Sequence, residues 1–270
     1  MIMAEKKDIL RSCFSMMDLT SLHSNDTEQS ITGLVNKVNN LGVEFPSYPL
    51  PASICVYPNF ASLVRDTRGS AEVHVTTVAS CFPSTQSFLE VKVRECELAV
   101  EGGADEVDIV LALGKFLAGD YDGASEEIRR MRSAIDAVAA SQGRKVILKV
   151  ILETGILGSE ELIRRASFLA MEAGADFIKT STGKVEVNAT PQAAETMCRC
   201  IREYYAKTGR KVGFKAAGGI STAEDALVYY NIGVSILGES WMNRDLFRFG
   251  VSRLGNSLMT AIEGREIKYF

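Results

Sequence analysis

What most constrains this chain is an alternation that repeats along nearly its whole length. Short apolar, β-branched runs occur at Ser53–Tyr57, Glu72–Val78, Glu106–Val110, Val146–Ile151, Phe177–Thr180, Val212–Ala216 and Ser235–Leu237, and Phe14–Asp18 supplies one more. Amphipathic helical stretches lie between them, at Thr27–Leu41, Phe60–Thr67, Ser87–Val100, Tyr121–Ala140, Glu160–Ala173, Gln192–Ala206 and Ala223–Tyr230. Strands this uniformly apolar are covered on both faces, which is the signature of a parallel sheet. Eight strand–helix units close into a (β/α)8 TIM barrel. Several helices carry plain start signals. Ser159 and Thr222 each offer a capping hydroxyl just before early carboxylates, and Thr190 precedes a proline at the first helical position. A weak repeat marks the opposite ends. Glu101-Gly-Gly-Ala-Asp105, Glu172-Ala-Gly-Ala-Asp176 and Asn231-Ile-Gly-Val-Ser235 each read as a glycine that ends a helix and turns the chain into a strand.

At 270 residues the chain suits a single barrel domain over 1–270, with a short N-terminal helical extension before the first strand. No Pro-rich, Ser-rich or low-complexity linker divides it. A hydrophobic fraction of 46% and a charged fraction of 24% belong to an ordinary soluble protein. The net charge is −4 and no basic stripe is present, which sets nucleic-acid binding aside. No apolar run approaches the ~20 residues of a membrane span. The opening residues lack the apolar segment of a signal peptide, so a cytoplasmic location is the expectation. Six cysteines occur without a C-x-x-C pair, and they read as free thiols in a reducing compartment.

A barrel interior is normally filled by Val, Ile and Leu, so charged residues within its strands call for a reason. Lys149, Lys179 and Lys215 lie in three consecutive apolar runs, the fifth to the seventh. One such lysine would read as a structural ion pair or a side chain reaching outward. Three on adjacent strands point to a site, because lysine is almost never fully buried without a partner. Asp108 in the fourth run and Asp18 at the end of the first supply the counter-charge. Asp108 alone would read equally well as a structural salt bridge. An amine among cations and apolar walls loses its proton more easily, and a neutral amine is what attack on a carbonyl requires. Lys179 is the expected nucleophile.

Three glycine- and hydroxyl-bearing segments follow the last strands: Thr180-Ser-Thr-Gly-Lys184, Ala217-Gly-Gly-Ile-Ser221 and Arg248-Phe-Gly-Val-Ser-Arg253. Barrels commonly bind phosphate at this place, through backbone amides and a nearby helix N-terminus. Only His23 and His74 are present, too few for a histidine-ligated zinc or iron site. His74, within a strand, reads as packing rather than ligation. Metal-assisted carbonyl chemistry is therefore disfavoured against amine chemistry.

Phe177-Ile-Lys-Thr-Ser-Thr-Gly-Lys184, Val212-Gly-Phe-Lys-Ala-Ala-Gly-Gly219 and Ala104-Asp-Glu-Val-Asp108 together resemble the deoxyribose-phosphate aldolases, Schiff-base enzymes on a (β/α)8 barrel. Met17-Asp-Leu-Thr20, Ser53-Ile-Cys-Val-Tyr-Pro58 and Leu148-Lys-Val-Ile-Leu-Glu-Thr154 fit the same pattern, so the likeness runs from about Met17 to Ser252. The resemblance implies that Lys179 forms the Schiff base, that Lys215 lowers its pKa, and that Asp108 joins Lys215 and a water in proton transfer. It implies substrate contacts at Asp18, Cys55, Lys149 and Thr182, and phosphate contacts at Gly183, Lys184, Gly218, Gly219 and Ser252. The implied reaction is reversible cleavage of 2-deoxyribose 5-phosphate into acetaldehyde and glyceraldehyde 3-phosphate, within deoxyribonucleotide and carbohydrate catabolism. A small sugar phosphate is the implied partner, a homodimer the implied assembly, and neither cofactor nor metal is implied. Another Schiff-base barrel acting on a longer sugar, of transaldolase type, and a catalytically silent barrel that only binds are the alternatives. Three departures stand out. Ala216 replaces a common proline, Arg253 replaces a common second serine, and Tyr269 is penultimate where some relatives end on a tyrosine that reaches the site.

Overall fold

The computed structural model describes residues 3–270. Eight parallel strands form one closed barrel in sequence order: β1 Met17–Thr20, β2 Ser53–Val56, β3 His74–Val78, β4 Glu106–Val110, β5 Ile147–Ile151, β6 Phe177–Lys179, β7 Gly213–Ala217 and β8 Phe247–Val251. The helices are α1 Met3–Ser15, α2 Glu28–Glu44, α3 Ala61–Thr67, α4 Leu89–Glu101, α5 Leu113–Leu117, α6 Tyr121–Ser141, α7 Thr154–Leu157, α8 Glu160–Glu172, α9 Pro191–Thr208, α10 Ala223–Leu237 and α11 Leu254–Glu263. The fold is thus a single (β/α)8 barrel with α1 as its N-terminal extension. No helix among the described residues is long and apolar enough to cross a membrane.

The start signals act as their residue types require. Ser159 accepts from the Leu162 amide at the head of α8, and Thr190 accepts from Ala193 ahead of α9, with Pro191 at the first position. Thr222 and Asp225 cap α10 reciprocally, as Thr27 and Ser30 do for α2. Gly103 and Gly174 adopt φ of 102° and 104°, the positive values that let the chain leave α4 and α8 and enter β4 and β6.

Two expected strands fall elsewhere. Ser235–Leu237 is not the eighth strand but the last turn of α10, which runs on to a Gly238 with φ 87°. The run looks strand-like because this helix packs one apolar face on the barrel, with Leu237 buried and Ile236 partly so while Ser235 is exposed. Gly233 likewise does not end a helix. A methyl group at that position would come within 2.7 Å of both the Met242 sulfur and the Phe247 ring, so glycine allows α10 to pack closely on the start of the true β8. Phe14 belongs to α1, and the first strand begins at Met17. Consequently Arg248 lies within β8, and only Ser252 and Arg253 follow it.

The pairing register carries charged residues onto neighbouring strands side by side. Asp108 faces Lys149, Lys179 faces Lys215, and Lys215 faces Arg248. Asp18 pairs with Ser53 on one side and Gly250 on the other. Glu106 and Asp108 lie two apart on β4, and the two-residue period of a strand puts them on one face.

Candidate active site

The barrel interior holds a connected set of ionisable side chains, all buried. Asp108 is its hub. One carboxylate oxygen, Oδ2, accepts from Lys179 Nζ and from Lys215 Nζ, each at 2.8 Å, and Oδ1 accepts from Lys149 Nζ at 2.9 Å. Lys215 also bonds Asp18, as does Arg248, and Ser53 donates to Asp18 Oδ1 at 2.8 Å. Lys149 bonds Glu106 as well, and Arg248 grips Glu106 with two nitrogens at 3.0 and 2.7 Å. The five expected charged residues, Asp18, Asp108, Lys149, Lys179 and Lys215, therefore meet. Cys55 is buried on β2, and the charges of Lys215, Asp108 and Lys179 act on its thiol.

Two members were not expected: Glu106 and Arg248. Glu106 was foreshadowed by its spacing from Asp108. Arg248 lies in the true eighth strand, ten residues or more beyond the run at Ser235–Leu237 that resembles one. His74 is not merely packed, since its Nδ1 lies 2.6 Å from Glu106 Oε1. Together Glu106 and Arg248 change the electrostatic argument. Within this bonded set three carboxylates (Asp18, Glu106, Asp108) meet four cations (Lys149, Lys179, Lys215, Arg248), and a fourth buried carboxylate, Glu153, acts on Lys179 through its charge without bonding it. A buried interior tolerates little uncompensated charge, so the cation with the least carboxylate support is the one that loses its proton most easily.

The pKa directions identify which cation that is. Burial pushes all four downward. For Lys149, Lys215 and Arg248 the surrounding carboxylates outweigh burial and the values rise. For Lys179 burial prevails: Asp108 opposes the shift, Lys215 reinforces it, and the amine is lowered below 10.5. Lys215 has both Asp18 and Asp108 as partners, whereas Lys179 has Asp108 alone. The amine that the network leaves free to shed its proton is Lys179.

The same network sets a response to acid. Burial raises the Asp18 carboxyl, but Lys215, Arg248 and Lys149 outweigh it and hold the value at about 2, against a usual 3.8. Asp108 and Glu106 are lowered too. A depressed carboxylate contributes stability that is present above its unfolded value and lost as pH falls through its folded value. The thermal unfolding midpoint is therefore expected to drop as pH is taken from 3.8 to about 2. A midpoint flat across that window contradicts the network as described.

Above Lys179 a cavity of about 210 Å³ opens at the carboxyl ends of the strands, where barrel sites lie. Thr182, Gly183 and Lys184 line it from the loop after β6, Gly218 and Gly219 from the loop after β7, and Gly250, Ser252 and Arg253 from β8 and its end. His23 and Ser221, not foreseen as site residues, line it too. Lys179, Lys184 and Arg253 give the wall positive charge, and no carboxylate is among the lining residues. Gly218 and Gly219 are both left-handed, with φ of 84° and 82°. A side chain on Gly218 would collide with Asn188 at 2.7 Å, so this turn needs glycine. Lys184 points part of its charge elsewhere, donating to the Leu22 carbonyl at 2.6 Å and tying two loops together. Thr180 braces the base of its loop against β7 by accepting from the Ala217 amide at 3.0 Å. Tyr269 takes no part: its hydroxyl donates to the Lys37 carbonyl at 2.7 Å. Ala216 is buried in β7, and its alanine leaves the strand intact.

Known structures share this architecture. The proposed deoxyribose-phosphate aldolase of Toxoplasma gondii ME49 superposes with a TM-score of 0.80 at 23% identity, over 97% of this chain and 96% of that one. The deoxyribose phosphate aldolase of Aeropyrum pernix, a tetramer, gives 0.69 at 22% identity over 97% and 96%. At those identities the likeness is one of fold. The proposed deoxyribose-phosphate aldolase of Coccidioides immitis gives 0.73 at 27% identity over 93% and 91%. The profile described as DeoC/LacD family aldolase matches residues 13–243, most of the chain. With a closed barrel, a buried lysine amine and a cationic cavity above it, the chain belongs to the DeoC/LacD family of aldolases.

Proposed function

We propose that this aldolase reversibly cleaves 2-deoxyribose 5-phosphate to acetaldehyde and glyceraldehyde 3-phosphate through a Schiff base on Lys179. The observation that carries the reading is the joint approach of Lys179 and Lys215, each 2.8 Å from one oxygen of Asp108, beneath a cavity without carboxylates. Lys215, held as an ammonium, and Lys179, inclined to be neutral, form an acid and a nucleophile bridged by one base.

In the cleavage direction the neutral Lys179 amine attacks the substrate aldehyde carbon. Lys215 is placed to protonate the departing oxygen as water leaves and the iminium forms. A base removes the proton from the hydroxyl at C3, and the C2–C3 electron pair moves into the iminium. This releases glyceraldehyde 3-phosphate and leaves an enamine. Protonation of the enamine carbon, through a water held by Asp108 and Lys215, regenerates the iminium. Hydrolysis then frees acetaldehyde and Lys179. Asp18 and Lys149 fix Lys215 and Asp108 and keep the charge balance, and Cys55 borders the same polar set. The phosphate is placed against the Gly183, Gly218 and Gly219 amides, with Ser252 and Lys184 beside it and Arg253 adding a second cation. Thr182 presents its loop to the sugar. Every step uses side chains of this chain, with no cofactor or metal, in a small-molecule site. A homodimer in the cytoplasm is the proposed setting.

A substrate panel tests the reading. The purified protein is expected to release acetaldehyde and glyceraldehyde 3-phosphate from 2-deoxyribose 5-phosphate faster than it cleaves longer ketose phosphates. A preference for a longer ketose phosphate would instead select a transaldolase-type enzyme. Binding of the sugar phosphate without turnover would select a catalytically silent barrel.

A further inference from the structure

Glu153 is a buried carboxylate that the mechanism above does not use. It is only 1% exposed and, among the described residues, has no cation within ion-pairing distance. Its backbone is left-handed, with φ 57° and ψ 60°, a region that residues other than glycine rarely occupy. The distortion falls between two ladder-like hydrogen bonds, Leu152 N to Lys179 O and Thr154 N to Thr180 O, each 2.9 Å. The chain is thus kinked at one residue while its neighbours stay paired to the strand that bears Lys179. Backbone strain of this kind persists only where surrounding structure enforces it, and it concentrates at functional sites.

The kink delivers the side chain to the mouth of the cavity. Glu153 accepts from the Thr182 hydroxyl at 2.6 Å and from the Thr182 amide at 3.2 and 3.3 Å. Thr182 Oγ1 in turn accepts from the Lys184 amide at 3.1 Å. Glu153 stands at the head of α7 yet makes no side-chain bond to that helix. Its hydrogen bonds go to the loop that faces the substrate. We propose that Glu153 is a positioning residue, which fixes Thr182, Gly183 and Lys184 in the conformation that receives the phosphate. This rests on the reading of the cavity as a sugar-phosphate site.

The test compares the phosphorylated and unphosphorylated forms of 2-deoxyribose as substrates for the wild type, Glu153→Ala, Glu153→Gln, Thr182→Val and the Glu153→Ala/Thr182→Val double variant. Glu153→Ala is expected to raise KM for the phosphorylated sugar on the order of tenfold, the scale of losing hydrogen bonds to a charged acceptor. Its kcat, and its KM for the unphosphorylated sugar, should change far less. Glu153→Gln keeps an acceptor oxygen and is expected to restore most of the difference. Thr182→Val should lower kcat/KM for the phosphorylated sugar by a larger factor than for the unphosphorylated one, and the double variant should be no worse than the weaker of the two single variants, as coupled residues behave. Equal losses on both sugars, no loss, or losses that multiply in the double variant overturn the proposal. If Glu153→Ala does not fold, Thr182→Val decides by the same comparison. If the wild type cleaves neither sugar, the substrate reading has failed, and titration with inorganic phosphate decides the matter. Weaker binding to Glu153→Ala supports the positioning role, and equal binding overturns it.

Discussion

Lys179→Met is expected to lower cleavage by on the order of 10⁴-fold or more while leaving the barrel folded, because the proposed mechanism then loses its covalent nucleophile and has no neighbour to replace it. Lys215 is one strand away but is held as an ammonium by Asp18 and Asp108, so it cannot attack in its place. The stability of this variant is equally informative. If the interior is balanced with Lys179 neutral, an uncharged side chain of similar length costs little, and the unfolding midpoint should lie close to that of the wild type. A large fall in the midpoint would mean that Lys179 carries a charge the network depends on. The pH dependence of the wild type should agree. Because Lys179 is lowered below 10.5, its neutral fraction grows as pH rises through that lowered value, and the rate of imine formation should rise with it.

Asp108→Asn is expected to damage both activity and stability. The carboxylate receives hydrogen bonds from three lysines, and an amide returns no charge to any of them. Breaking a buried ion pair by removing one partner costs about 3–5 kcal/mol, because the other charge stays buried without compensation. Activity should fall by roughly 10²–10⁴, the range for losing a positioned proton-transfer group. Unfolding by denaturant and a steady-state assay measure the two effects. Wild-type stability in this variant would show that the three lysines do not rely on Asp108. The contrast with Lys179→Met is the useful comparison: one variant removes the nucleophile from a balanced interior, and the other unbalances it.

Much of this was legible in the residues. Lysines in three consecutive apolar strands have few explanations, and the register brings Lys179 beside Lys215 as that reading requires. Asp108 and Asp18 were recognisable as their counter-charges. What escaped notice was set by tertiary packing. The end of α10 has strand-like composition because Ile236 and Leu237 pack on the core from a helix, so the sequence pattern sets the eighth strand there and leaves Arg248 outside it. Without Arg248 and Glu106 the count is three cations against two carboxylates. That imbalance has the correct sign, but it does not show how Lys149 and Lys215 remain charged. Glu153 was visible only as part of a motif, since nothing in a glutamate's local sequence announces a left-handed backbone. That conformation is imposed by the pairing of its neighbours to β6.

The central claim is that Lys179 is the member of this charge-balanced set that becomes covalently attached to substrate. The most direct measurement is borohydride reduction of the protein in the presence of 2-deoxyribose 5-phosphate, followed by peptide mass mapping. The account predicts one stable adduct, on the peptide containing Lys179, with Lys149 and Lys215 unmodified. No adduct, or an adduct on Lys215 in its place, would contradict it.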